Sequence, residues 1–343
     1  MKAAIISLTE NGRGLSAKIA EKAGFLDTER FCFFSHSDCS AQSFDSLSKL
    51  VSGIFHEYNA LVFVCACGIA VRAVAAHLRS KTSDPAVIVI DDCGRFVIPV
   101  LSGHIGGANA LAERLAELLG AQAVITTATD TGGHFSPDSF AAANGLIITD
   151  MSAAKAIAAA VLGGEKVGFV SEYGYINMPE ELSADTSCRT GIYVGCEDKN
   201  PFPVTLKLVP RNVVVGIGCK RGTVCETIEN AVISALETAG ISLERVSSAA
   251  TIDLKAAEAG LLEFCEKHGL KLTAYSAHEL METAGEFTKS DFVKSVTGVD
   301  NVCERSAVRC SGGRLILRKT SADGVTVAAA EMPLTLDFER RML

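Results

Sequence analysis

A chain of 343 residues with 40 acidic against 32 basic side chains carries a net charge of −8, which excludes nonspecific nucleic-acid binding. With 48% hydrophobic and 21% charged residues it is a soluble globular protein long enough for two or three domains. Only 6% of its residues are aromatic and none is Trp, so it lacks stacking platforms for bases or sugars. The opening run Met1-Lys2-Ala3-Ala4-Ile5-Ile6-Ser7-Leu8 is a short strand without a secretory core, and the longest apolar runs fall far below membrane-spanning length. The expected location is the cytoplasm with reduced thiols, and neither a membrane nor a nucleic acid is an expected partner.

Short apolar runs bounded by turn residues predict strands over 3–8, 60–66, 86–90, 96–101 and 123–127. Several feed amphipathic helical stretches, so the predicted class is α/β: two or three α/β domains with mostly parallel sheets. The first turn, 9–14, precedes a helix over 15–23. Its Gly12, Gly14 and Ala17 match part of a dinucleotide fingerprint, but Asp27 and Glu29 are badly placed to hold a ribose. It reads as a plain strand-to-helix turn. Asp91-Asp92-Cys93-Gly94-Arg95 reads as a hairpin with glycine at a position wanting positive φ. An Ala-rich helical stretch runs over 135–180, with 167–170 strand-like. The Ser, Thr, Asp, Gly, Asn and Pro of 184–203 place a linker there. A C-terminal domain then begins at 211, bounding domains of 1–134, 135–210 and 211–343. Thr223 with Glu226, and Ser276 with Glu279, fit capping boxes.

Two glycine turns carry the chemistry. Leu101-Ser102-Gly103-His104-Ile105-Gly106-Gly107-Ala108-Asn109 follows a strand and opens the helix 110–119. Its glycines let backbone amides approach an anion beside a helix N-terminus, and its histidine titrates near neutral pH. Asp91 and Asp92 offer that imidazole an orienting carboxylate, and His134 is the second choice of base. The other histidines (His36, His56, His77, His268, His278) read as structural or solvated. Val215-Gly216-Ile217-Gly218-Cys219-Lys220-Arg221-Gly222-Thr223 is a second strand-turn-helix, with two cations suited to carboxylates. Arg72, after Cys67-Gly68, and Arg95 lie beside further glycines. Twelve cysteines contain no Cys-x-x-Cys pair, so no protein-held metal is expected. Cys65, Cys67 and Cys93 read as small buried hydrophobes, and Cys219 as a buried turn thiol.

The order of these blocks, with Asp84-Pro85-Ala86-Val87-Ile88-Val89-Ile90 and Ile125-Thr126-Thr127-Ala128-Thr129-Asp130 between them, resembles the cobalt-precorrin-5A hydrolase family of anaerobic cobalamin biosynthesis. The likeness runs to about residue 330 and is least distinctive over 135–210. It implies opening of the ring-A acetate δ-lactone of a cobalt-bound, ring-contracted tetrapyrrole, with loss of acetaldehyde to give cobalt-precorrin-5B. No cofactor is implied, because cobalt comes with the substrate; the implied partners are that corrinoid and neighbouring enzymes of the pathway. On this reading His104 is the catalytic base and Asp92 its orienting partner. The substrate contacts are Gly68, Arg72, Arg95, Ser102, Gly103, Gly106, Gly107 and Asn109, then Gly216, Gly218, Lys220, Arg221, Gly222 and Thr223. A macrocycle with carboxylates all round is too broad for one turn, so it is expected in a cleft between the N- and C-terminal domains, hinged near 184–210. Two other functions stay open. A non-catalytic corrinoid-binding or handover protein needs the cationic turns but not His104. Against a nucleotide or phosphosugar enzyme stands the missing Gly-x-x-x-x-Gly-Lys-Ser/Thr loop.

Overall fold

The computed structural model describes residues 1–33, 40–80, 83–103, 106–126 and 134–340. The first unit comprises β1 (Lys2–Ser7), α1 (Glu10–Lys22), β2 (Asp27–Cys32), β3 (Gln42–Ser43), α2 (Leu47–Ile54), β4 (Ala60–Val64), α3 (Cys67–Val74), β5 (Ala86–Ile90), β6 (Phe96–Leu101), α4 (Ala108–Leu119) and β7 (Gln122–Ala123). Its seven strands run in the order β3-β2-β1-β4-β5-β6-β7, parallel at every pairing except β5 with β6. Continuous apolar strands are required because both faces are covered. Ala3, Ile5, Val62, Val64, Ile88 and Ile90 face α1 and α4, and the alternate residues Ala4, Ile6, Leu61, Phe63, Val87 and Val89 face α2 and α3. The expected 9–14 turn is shorter than its glycines suggested. Thr9 caps α1 by accepting from the Gly12 amide at 3.0 Å, so the helix already begins at Glu10.

The second unit contains α5 (Pro137–Ala143), β8 (Leu146–Ile148), α6 (Met151–Leu162), β9 (Val167–Ser171), β10 (Gly174–Ile176), β11 (Leu182–Ser183), β12 (Thr190–Val194) and β13 (Val204–Pro210). Its sheet has the order β11-β9-β12-β13-β8. This corrects the linker expected over 184–203 and the hinge near 184–210: β12 is fully buried at the sheet's centre, between β9 and β13. Its brevity and flanking polar turns hide it in the sequence. The Phe202 ring lies across β9 and β12, where a Cβ on Gly168 or Gly191 would come within 2.1 and 2.3 Å of it.

The third unit holds β14 (Val213–Cys219), α7 (Cys225–Thr238), β15 (Val246–Ile252), α8 (Ala259–Lys267), β16 (Lys271–Tyr275), α9 (Ala277–Glu282), α10 (Asp291–Thr297), α11 (Val302–Ser311), β17 (Arg314–Ala322) and β18 (Val325–Glu331). The strand order is β16-β15-β14-β18-β17, with the last two pairings antiparallel. Val213, Val215 and Ile217 pack on Ile228, Val232 and Leu236 of α7 and on Leu261 and Phe264 of α8. The Ser276–Glu279 capping box forms as expected, whereas the Thr223–Glu226 box does not. Val224 is the N-cap of α7 and gives no side-chain bond, because the Thr223 hydroxyl donates instead to the Lys220 carbonyl at 2.8 Å.

After β18 the chain returns to the second unit. β19 (Thr335–Asp337) pairs with β10, Leu336 is fully buried in that unit's core, and Phe338 stacks on Phe140 with 4.4 Å between ring centres. Asn144 bonds the Asp337 backbone in both directions, at 3.0 and 2.9 Å. The second unit therefore contains residues from the extreme of the third. Leu336→Ala should lower stability by about 2–5 kcal/mol. Denaturant unfolding followed by near-ultraviolet dichroism measures it, and a change under 1 kcal/mol would mean the returning strand adds little.

Candidate functional site

The Ser102–Asn109 turn is closed by its own backbone. The Ala108 amide donates to the Ser102 carbonyl at 3.1 Å and the Asn109 amide to the Gly103 carbonyl at 3.0 Å. Ser102 sits in the left-handed region at φ 57°, and its hydroxyl donates to the Asp84 carbonyl at 2.9 Å, which ties the turn to the start of β5. Gly107, at φ 78°, is the N-cap of α4. Gly106 has no room for a side chain: a Cβ there would lie 2.3 Å from that of Ser102. A non-glycine residue in the left-handed region stores strain, which collects at functional sites. Two amides expected to face an anion are committed to the loop itself. His104 and Ile105 lie outside the described residues, as do residues 127–133.

β5 and β6 are antiparallel, which sets the Asp91–Arg95 hairpin and the start of the glycine-rich turn at opposite ends of the pair. Ile90 pairs with Val97 beside the hairpin, and Val87 with Leu101 beside the turn. At about 3.3 Å per residue, Asp92 and Gly103 stand some 15–20 Å apart along the strand direction. Asp92 and the described start of the glycine-rich turn thus stand at opposite ends of the β5–β6 pair, and the expected Asp92–His104 pairing falls outside the described residues. Asp92 accepts from the Thr9 hydroxyl at the N-terminus of α1. Asp91 accepts from the Arg95 and Phe96 amides, both at 2.6 Å, and Gly94 takes φ 66° as expected. Although partial burial pushes its carboxyl up, those amide bonds hold Asp91 below the usual carboxylate range. The exposed Arg95 guanidinium lies 3.7 Å from Asp91. Gly68 and Arg72 are on α3 rather than in a turn, and Arg72 donates to the Gly68 carbonyl at 3.2 Å. Thr9, Gly68, Asp92 and Arg95 share the carboxyl edge of β1, β4 and β5, where the strand order reverses between β1 and β4. Open α/β sheets bind ligands at such a point. The glycine-rich turn is at the other edge.

In the third unit the exposed Lys220 and Arg221 follow β14, with Gly222 at φ 75°. The Gly222 amide donates to Glu258 at 3.0 Å, and Lys255 pairs with the same carboxylate at 2.8 Å. Bonds from Lys255 and from Gly222, with the Arg221 charge nearby, hold the Glu258 carboxyl below its usual range. This turn binds a carboxylate, and the one it holds belongs to the protein. Glu258 escaped the sequence reading because 36 positions separate it from Gly222. Gly216, expected among the substrate contacts, lies buried within β14, where a Cβ would sit 1.8 Å from the Cys303 carbonyl of α11. Gly218 approaches Thr326 of β18 in the same way, at 2.6 Å from its hydroxyl. Both serve packing. Cys219 packs against the core and burial raises its thiol pKa, so it stays protonated near neutrality.

Cys65 is buried, with its thiol pushed up to about 11 by that burial, and Cys67 is half-buried. Cys93 is exposed, against expectation, because it occupies the hairpin tip. His134 lies 3.5 Å from Glu181, and His268 bonds Glu229 at 2.8 Å.

Family models for the cobalamin synthesis G N-terminal and C-terminal regions match residues 49–130 and 213–330. The chain is 30% identical to the cobalt-precorrin-5A hydrolase of Priestia megaterium, covering 96% of this chain and 95% of that one. The chain belongs to the cobalt-precorrin-5A hydrolase family. A second member, the cobalt-precorrin-5A hydrolase of Salmonella typhimurium, is 34% identical over 80% of this chain and 82% of its own. A crystal structure assigned as a cobalamin biosynthesis protein G homolog from Sulfolobus solfataricus covers 96% of this chain and 97% of its own, at 25% identity and a TM-score of 0.43. The two family models contain both glycine turns; residues 131–212 lie outside them. Among the described residues no helix is long and apolar enough to cross a membrane, and no three His, Cys, Asp or Glu side chains gather as metal ligands.

The packing role of Gly216 has a direct test. Gly216→Ala should destabilise the protein by about 1–3 kcal/mol through overpacking against α11. The denaturation midpoint reads it. Unchanged stability with a raised KM would return Gly216 to the binding site.

Proposed function

We propose that this protein hydrolyses the ring-A δ-lactone of cobalt-precorrin-5A and releases acetaldehyde, acting in the cytoplasm with no cofactor of its own. The observation that carries this reading is the strained Ser102–Asn109 turn: in the family's most distinctive block a non-glycine residue, Ser102, takes φ 57° and Gly106 has no room for a side chain. Lactone opening calls for a base to activate water and donors for the developing oxyanion. His104 is the base. The Gly106 and Gly107 amides are the oxyanion donors, since those of Ala108 and Asn109 are already engaged. Once the ring is open, the freed secondary alcohol loses its proton and the adjoining carbon–carbon bond breaks. The electron pair passes into the macrocycle, which with its cobalt is the substrate. The protein supplies proton transfer and orientation, and no nucleophilic Ser or Cys is needed.

Lys220 and Arg221 grip substrate carboxylates, and the macrocycle spans a cleft between the N- and C-terminal units. The mainly acidic surface gives no long-range attraction for such an anion, so short-range cations must hold it.

Anaerobic incubation with the lactone substrate, assayed for acetaldehyde, tests the reaction; a folded protein that binds the corrinoid but releases none would make it a handover protein. His104→Ala should lower turnover by about two to four orders of magnitude with corrinoid binding intact. Acetaldehyde release at the native rate would remove His104 from the mechanism. A Lys220→Gln, Arg221→Gln double variant should raise KM, flatten the salt dependence of binding and leave kcat nearly unchanged. Binding indifferent to both substitutions would rule out the cationic grip.

A further inference from the structure

Beside the Ser102–Asn109 turn, a cavity of about 80 Å³ opens between the start of α4 and the segment after α1. Gly107, Ala110, Leu111 and Arg114 form one wall, at the spacing of a single helix face, and Phe25 and Leu26 form another. With liquid water occupying roughly 30 Å³ per molecule, the space suits a few waters or the end of one side chain, and is far too small for a macrocycle. Met1 also lines it, and Arg114 carries the one charged side chain in the lining. The Arg114 guanidinium lies over the Phe25 ring, 3.6 Å from its centre, so its plane is fixed before anything binds. In a chain with 40 acidic residues a half-buried arginine ordinarily finds a carboxylate. Among the described residues Arg114 has neither a carboxylate nor a carbonyl partner; its one recorded contact is the aromatic face.

The helix N-terminus is not the source of attraction, since its first two amides close the turn. A positioned, planar, five-donor cation is left facing a pocket of side-chain size, next to the turn that holds the proposed base. We propose that Arg114, steadied by Phe25, is a substrate-positioning residue that binds one carboxylate-bearing side chain of the tetrapyrrole and so sets the lactone against the Ser102–Asn109 turn. This rests on the hydrolase reading for its ligand, and bidentate arginine–carboxylate geometry supplies the selectivity.

The test pairs kinetics with binding by the intact protein. Arg114→Gln should raise KM for the lactone at least tenfold and leave kcat within about twofold; Arg114→Lys should recover only part of the loss. Binding of a free-acid corrin and of its methyl ester, followed by visible absorbance, supplies a readout independent of turnover. The wild type should prefer the acid, and Arg114→Gln should shrink that preference about tenfold. If Arg114→Gln does not fold, Phe25→Leu, which keeps the charge but removes its support, must raise KM in the same sense. A folded variant of either kind with native KM and native acid preference overturns the proposal. Loss of acid preference in a protein that never releases acetaldehyde would keep Arg114 as a carboxylate site and overturn the hydrolase reading alone.

Discussion

The antiparallel pairing of β5 with β6 governs where chemistry can occur in the first unit. In an all-parallel sheet every strand delivers its following loop to one edge, and glycine turns collect there. One hairpin breaks that rule. It leaves Asp91, Asp92 and Arg95 at the carboxyl edge with the N-termini of α1 and α3, and carries the chain back so that the Ser102–Asn109 turn emerges among the starts of the strands. The bond from Ser102 to Asp84, just ahead of β5, fixes that placement. The cavity containing Arg114 lies at this same edge because β1 begins there.

A comparable economy of contacts shapes the third unit. Its inner strands present branched side chains to α7 and α8, but almost bare backbone to α11. Gly216 admits the Cys303 carbonyl, and Ser306 donates to the Ala250 carbonyl at 3.2 Å. From this close-set helix two buried charges reach outward. Glu304 accepts from the Thr288 amide and hydroxyl and from the Lys319 amide, at 2.7 to 2.9 Å. Arg305 pairs with Asp300 at 2.8 Å and donates to the Leu280 and Thr283 carbonyls. A buried carboxylate and a buried guanidinium, each surrounded by partners, tie the 283–300 segment to the sheet.

Strand positions were legible in the sequence where burial on both faces demanded unbroken apolar runs. The spans 86–90 and 96–101 match β5 and β6 residue for residue. The central strand β12 was not legible, because its Thr190-Gly191-Ile192-Tyr193-Val194 is short, sits among turn formers, and uses a glycine to make room for Phe202. In the candidate site, the glycine turns and cations announced themselves by spacing. Which of them meet did not, since partner choice depends on strand direction, and a local motif does not encode that. Asp92 lies close in sequence to Gly103, yet one antiparallel strand sets the two at opposite edges of the sheet. Glu258 and Arg114 show the converse: ordinary surface residues by sequence, they become informative only through what lies beside them.

The return of Leu336 and Phe338 to the second unit has a consequence for biogenesis. Domains emerging from the ribosome generally fold in order, each as its chain clears the exit. Here the middle unit is synthesised before the third but cannot complete its aromatic cluster until residues 335–338 are made, by which time the third unit has had the opportunity to fold. Its half-built core must wait, apolar surface uncovered, through the translation of well over a hundred further residues. The order of synthesis and the order of completion are therefore different, and residues 335–338 act as the closing stitch of a domain begun long before them.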